Sequence, residues 1–228
     1  MLKLENVRKL YTESNGLNTT SITFRPGEIT GILGRNGSGK STLLKSIINL
    51  IPIDSGIIRY NEQPIDKQLD KIAYISEEGS FFPYMNPKTY GEFLSAYYPA
   101  FSNVQYKQLL ENFEVPTNNA IHNLSKGQQL KVEISAGFAM NSKLLILDEP
   151  FTTLDIYAKE DTVRLLIEQV KDDVTILIAT HNLEEIENVI DRCVVLDKGK
   201  VVEDIMMDTL NEDKKDLKTL LDKYRPNK

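Results

Sequence analysis

The chain has one cysteine, Cys193, and no apolar run near the roughly 18 residues that a membrane span needs. A single thiol forms no internal disulfide, which suits the cytoplasm. Within Arg192-Cys193-Val194-Val195-Leu196 it reads as a small buried residue of a strand-like run. The first residues, Met1-Leu2-Lys3-Leu4-Glu5-Asn6, lack the apolar stretch of a signal peptide. A membrane role is therefore expected to come through a separate partner. Positive charge is in deficit too. A net charge of −6 disfavours a nucleic-acid machine, which usually shows a basic face. What is present is ordinary for a globular chain. The 228 residues are 41% hydrophobic and 26% charged, enough to bury a core as one domain with a subdomain.

Against that background the run Gly34-Arg35-Asn36-Gly37-Ser38-Gly39-Lys40-Ser41 stands out. It matches the phosphate-binding pattern G-x-x-x-x-G-K-[ST]. A strand-like run, Glu28 to Leu33, precedes it, and a helix-like run, Thr42 to Leu50, follows. The motif needs that setting. Its glycines turn successive N–H groups around phosphate oxygens, and the helix start adds partial positive charge. Lys40 can reach the β- and γ-phosphates, and the Ser41 hydroxyl can ligate Mg²⁺. Far along the chain, Leu144-Leu145-Ile146-Leu147-Asp148-Glu149 is an apolar run ending in two carboxylates. It reads as a strand buried on both faces of a parallel sheet. Asp148 would emerge at the strand's carboxyl end, where open α/β sheets bind ligands, and hold Mg²⁺ directly or through water opposite Ser41. Glu149 can accept a proton from an attacking water, or orient it.

Between these segments lies Leu124-Ser125-Lys126-Gly127-Gln128-Gln129. Here the chain resembles the ABC-type ATPases, whose signature is usually written L-S-G-G-Q. Lys126 stands where the second small residue usually sits. Pro150-Phe151-Thr152-Thr153-Leu154-Asp155 is similar to the family's D-loop, ending in Asp155. Thr175-Ile176-Leu177-Ile178-Ala179-Thr180-His181 resembles its H-loop. Tyr11, after Val7-Arg8-Lys9-Leu10, stands where the adenine-stacking aromatic usually lies. The motifs follow the family's order from Tyr11 to His181. Those of the family's H-loop and D-loop, with the phosphate loop and signature, are far more specific together than any one alone.

The resemblance implies an α/β fold. Its P-loop NTPase core is a mostly parallel sheet flanked by helices, joined by an antiparallel β-layer and a small helical subdomain. It implies ATP contacts at Tyr11, Gly34, Arg35, Asn36, Gly37, Ser38, Gly39, Lys40, Ser41, Thr42, Ser125, Gly127 and Gln128. It implies Mg²⁺ at Ser41 and Asp148, and hydrolysis through Lys40, Glu149 and His181. Where the family has a metal-binding glutamine, this chain reads Ile72-Ala73-Tyr74-Ile75-Ser76-Glu77-Glu78, which puts Glu77 at that position. A glutamate still offers an oxygen to a hard cation. In the family two such subunits pair head to tail around ATP, as homo- or heterodimers. A separate integral membrane permease then holds them at the cytoplasmic face of the membrane.

The expected division is a single domain over 1–228. Residues 1–76 carry the β-layer and phosphate-loop core, 77–141 the helical subdomain with the signature, 142–208 the rest of the core, and 209–228 a C-terminal helix and tail. In the subdomain, Asn103 is read as a cap of the helix to Glu114. The patch Phe81-Phe82-Pro83-Tyr84-Met85 fits two readings equally, subdomain core or a groove for a coupling helix. The resemblance is strongest to exporter ATPases of the ABC-2 kind in Gram-positive bacteria, which implies export of a peptide, drug or similar cargo. An importer ATPase and an iron–sulfur assembly ATPase stay open. A chromosome ATPase is disfavoured because no heptad run separates Lys40 from Ser125.

Overall fold

The computed structural model describes residues 1–12, 15–76, 78–79, 81–212 and 217–223. In chain order its elements are β1 (Leu2–Thr12), β2 (Asn15–Phe24), β3 (Ile29–Leu33), α1 (Lys40–Ile47), β4 (Ser55–Tyr60) and β5 (Gln63–Pro64). Then come β6 (Ile72–Ser76), α2 (Pro87–Tyr97), α3 (Asn103–Asn112), α4 (Lys126–Ala139), β7 (Leu144–Asp148) and α5 (Ile156–Gln169). The chain closes with β8 (Thr175–Thr180), β9 (Arg192–Asp197), β10 (Lys200–Met206), α6 (Met207–Glu212) and α7 (Leu217–Asp222). Two compact units result, one of residues 1–69 with 171–228 and one of residues 70–170.

The first unit holds two sheets. An antiparallel layer runs in the order β2-β1-β4-β5. The second sheet places β3 between β8 and β9, parallel to both, with β10 antiparallel on the outside of β9. Burial follows position. Every residue of β3 and β8 is buried, the pattern of strands covered on both faces, whereas β10 alternates exposed and half-buried as an outer strand does. Each fully buried Ile or Leu, such as Ile32 and Ile178, contributes about 1.5–3 kcal/mol. Helix α1 packs against β8 and β2.

The second unit pairs β6 with β7 in parallel and packs α4 on β6, α3 on α4 and α2 on α3. Its helices begin where the sequence supplies an oxygen. Asn86 caps α2 with a reciprocal bond to Thr89, and Pro87 takes the first helical position, where its missing N–H costs nothing. Ser102, not Asn103, caps α3. Its hydroxyl accepts the Gln105 N–H at 3.2 Å, which leaves Asn103 as the first helical residue. Both residue types cap well, so spacing to the free N–H decides between them.

Candidate active site

The phosphate-loop residues lie in the first unit, between β3 and α1. Gly39 sits at φ 108°, a left-handed angle that favours glycine. Helices α2 to α5 each start under a side-chain cap, but none caps α1. An uncapped helix start presents backbone N–H groups and positive dipole charge, which is the setting for an anion. The Ser38 hydroxyl is buried with no hydrogen-bond partner, a polar atom that a bound phosphate would satisfy. Lys40 is 6% exposed, and its ammonium donates to Gly34 O at 2.8 Å and Arg35 O at 3.4 Å. Arg35, Asn36 and Gly37 face solvent, and a Cβ on Gly37 would meet nothing within 4 Å. Ser41 is exposed and Thr42 half-buried.

The loop is tied to its surroundings by close backbone approach. A Cβ on Gly39 would lie 2.8 Å from Gly16 O of β2, and Gly199 N donates to Ser38 O at 2.8 Å. Leu33 pairs with Thr180 across β3 and β8, so Gly34 and His181 leave the ends of neighbouring parallel strands at one level. That end is where ligands of open α/β sheets bind. His181 is exposed, and Thr180 beneath it accepts the Asn182 N–H at 3.1 Å. Near the end of β1, Tyr11 is 55% exposed with the Lys9 ammonium 5.7 Å from its ring centre. Asp54 holds this stretch. It accepts the Leu10 N–H at 2.8 Å and pairs with Lys9 at 3.2 Å.

The second unit carries the acidic strand end and the signature. Asp148 closes β7 and is 6% exposed, and Tyr74 of β6 donates its hydroxyl to Asp148 Oδ2 at 3.1 Å. Burial, and then the Asp148 charge, push the Tyr74 phenol well above its ordinary pKa, so it stays a donor. Glu149 is half-buried with φ 53°, immediately before Pro150. Ser125 caps α4 by accepting the Gln128 N–H, while the Gln128 side chain accepts the Ser125 N–H at 3.0 Å. Lys126 is exposed. A Cβ on Gly127 would lie 2.9 Å from Thr153 O, so the signature backbone passes close to the D-loop-like turn, and Lys131, one turn further along α4, pairs with Asp155 at 3.0 Å. Glu77 lies outside the described residues.

A family model described as "ABC transporter" matches residues 17–152. The chain belongs to the ABC transporter family. It is an ATP-binding ATPase domain of that family, with the P-loop NTPase fold. It is 31% identical over 217 residues to the ABC transporter ATP-binding protein YtrB of Bacillus subtilis, covering 93% of this chain and 74% of that one. The SkfA peptide export ATP-binding protein SkfE of the same organism is 28% identical, with 93% and 92% covered. The manganese transport system ATP-binding protein MntB of Listeria monocytogenes is 27% identical, with 93% of both covered. A solved structure titled "Structure of ATP binding subunit of ABC transporter" superposes with a TM-score of 0.83 at 27% identity, covering 94% of this chain and 93% of that one.

Three residues outside the motifs hold the site: Tyr74 against Asp148, Lys131 against Asp155, and Asp54 against Leu10 and Lys9 beside Tyr11. A tyrosine two residues before the end of a strand that pairs with the acidic strand was the available signal for the first. The others had none, since nothing short in the sequence links position 54 to 10 or 131 to 155.

Proposed function

We propose that this ABC ATPase powers export of a peptide, drug or similar cargo through a separate integral membrane subunit. It would act as one of two ATPase subunits that close around ATP and reopen on hydrolysis. SkfE, a relative of almost the same length, carries peptide export in its name. Among the described residues no helix is long and apolar enough to cross a membrane.

The observation that carries the partner reading is a row of exposed aromatic rings in the helical subdomain. Phe82 is 50% exposed, Tyr84 85% and Tyr97 69%. Phe82 meets Phe93 edge-on at 5.0 Å, Phe93 meets Tyr97 at 4.6 Å, and Tyr84 meets His122 at 5.3 Å. A core would bury these rings. An apolar surface of this kind fits the apolar face of a helix from the membrane subunit.

The chemistry assigned to the site is charge stabilisation and positioning. Tyr11 stacks on adenine. The α1 start, Ser38 and Lys40 hold the phosphates and offset the charge that develops on them. The Ser41 hydroxyl and the Asp148 carboxylate are oxygen donors of the type Mg²⁺ takes beside substrate phosphates, and Glu77 adds a third in place of the family's glutamine. When bound, Mg²⁺ neutralises phosphate charge and orients the β- and γ-oxygens. Glu149 takes the proton of the water that attacks the γ-phosphorus as the bond to the ADP oxygen breaks. His181 holds that water and Glu149 in register. Ser125 and Gly127 of one copy contact the γ-phosphate held by the other, and Asp155 sets the turn beside them.

The test is affinity purification of the tagged chain from detergent-solubilised native membranes. An integral membrane protein is expected to copurify, and Phe82→Asp with Tyr84→Asp should release it while ATP binding is kept. Cargo accumulation in inside-out vesicles bearing that complex then reads the direction. Recovery of soluble scaffold proteins alone would overturn the transport reading and favour iron–sulfur assembly.

A further inference from the structure

Strands β6 and β7 run parallel with Ser76 level with Asp148 and Tyr74 level with Ile146. Residues two apart on a strand share a face, so Tyr74 stands one repeat, about 6.6 Å, behind Ser76 on the face that carries Asp148. A tyrosine side chain leaning along its strand spans that distance. This one does, and its hydroxyl donates to Asp148 Oδ2 at 3.1 Å. The ring is half-buried and Asp148 is 6% exposed, so the bond is sheltered from competing water.

A carboxylate turns about a broad, roughly two-fold torsion. Holding one oxygen sets the direction of the other. We propose that Tyr74 is a positioning residue for the metal that accompanies ATP. Its hydroxyl fixes Oδ2 and so aims Oδ1 of Asp148. The ordering cost is then met when the protein folds rather than when the cation arrives. Outer-shell bonds of this kind orient ligating carboxylates, and their loss typically costs about 10–100-fold in metal affinity. The inference rests on the reading of Asp148 as a metal ligand given under the proposed function.

The test uses a fluorescent, non-hydrolysed ATP analogue. Its dissociation constant is measured on the whole chain in EDTA and in saturating Mg²⁺, and the ratio is the metal-dependent gain. Tyr74→Phe keeps the ring and deletes only the hydroxyl. It should cut the gain about 10-fold or more, with the EDTA value and the nucleotide-free melting temperature little changed. Asp148→Asn should remove the gain, and Tyr74→Phe added to Asp148→Asn should lose nothing further, because Tyr74 acts through Asp148. A Tyr74→Phe protein with the full gain, an equal loss in EDTA, or losses that multiply in the double variant would each overturn the positioning role. Asp148→Asn with the full gain would overturn the metal reading of Asp148 itself, a separate failure. If Tyr74→Phe does not fold, Tyr74→Leu, which likewise removes the hydroxyl and keeps an apolar side chain in the sheet, carries the same comparison.

Discussion

Glu149 occupies a left-handed backbone position, φ 53°, between the buried Asp148 and Pro150. Side chains with a Cβ are strained there by about 1–2 kcal/mol, and such strain gathers where a site needs a particular side-chain direction. The strand before it and the Thr152 hydroxyl, which donates to Glu149 O at 3.2 Å, hold the turn in place. Three substitutions separate chemistry from strain. Glu149→Gln keeps the backbone and removes the base, so ATP binding should persist while hydrolysis falls by about 10²–10⁴-fold, read in a steady-state phosphate assay. Glu149→Gly and Glu149→Ala both lack the base, yet the glycine variant should be about 1 kcal/mol the more stable in urea unfolding. Equal stability of the two would mean the turn carries no strain.

At the scale of elements, α4 and α5 are joined through one carboxylate. Asp155 Oδ1 accepts the Ala158 N–H at 2.9 Å and caps α5, while Oδ2 takes the Lys131 ammonium at 3.0 Å. The capping N–H first, and Lys131 next, hold the Asp155 carboxyl below its ordinary pKa. A carboxyl with a lowered folded-state pKa stabilises above its unfolded value, about 4, and loses that contribution as pH falls through the lowered value. Asp155→Asn keeps a capping oxygen without charge. Its stability deficit should be present at pH 7, begin to shrink near the unfolded value of about 4, and vanish only once the pH has fallen through the lowered folded value. For an exposed pair the deficit stays below about 1 kcal/mol and shrinks with salt. Urea midpoints of both proteins across that range check it, and a deficit that grows toward low pH would refute the linkage. Asp155 was legible from its motif, but its Lys131 partner was not, because the helix turn that faces α5 is set by packing.

For the whole molecule, Cys193 reports on the integrity of the first unit. It lies fully buried in β9 against β3, and burial pushes its thiol up to about 12. A thiol reagent should therefore label it only when that sheet opens. ATP binds the folded chain, so labelling followed by mass spectrometry should slow in the presence of ATP. Labelling at the same rate with and without ATP would place the opening outside the nucleotide-linked fold. The raised thiol pKa also stabilises the folded state below the unfolded value of 9.0, and that contribution fades as pH rises toward about 12.

At this scale the division between sequence and tertiary structure is plain. The phosphate loop, the signature cap and the acidic strand end are each written within about one turn or strand of chain, so local backbone geometry carries them. Double-sided apolar runs such as Leu144–Leu147 likewise announce a buried parallel strand, which is why the fold class was legible. The bonds that aim the motif residues are another matter. Tyr74 and Asp148 lie 74 residues apart, Lys9 and Asp54 45, Lys131 and Asp155 24. Those pairs exist only through strand register and helix packing. Slipping β6 by one residue against β7 would turn Tyr74 to the opposite face while leaving every motif in the sequence unchanged. The sequence by itself determined the chemical groups and the order of the elements that carry them. Only the tertiary structure decided which way those groups point, because side-chain direction depends on contacts between distant segments.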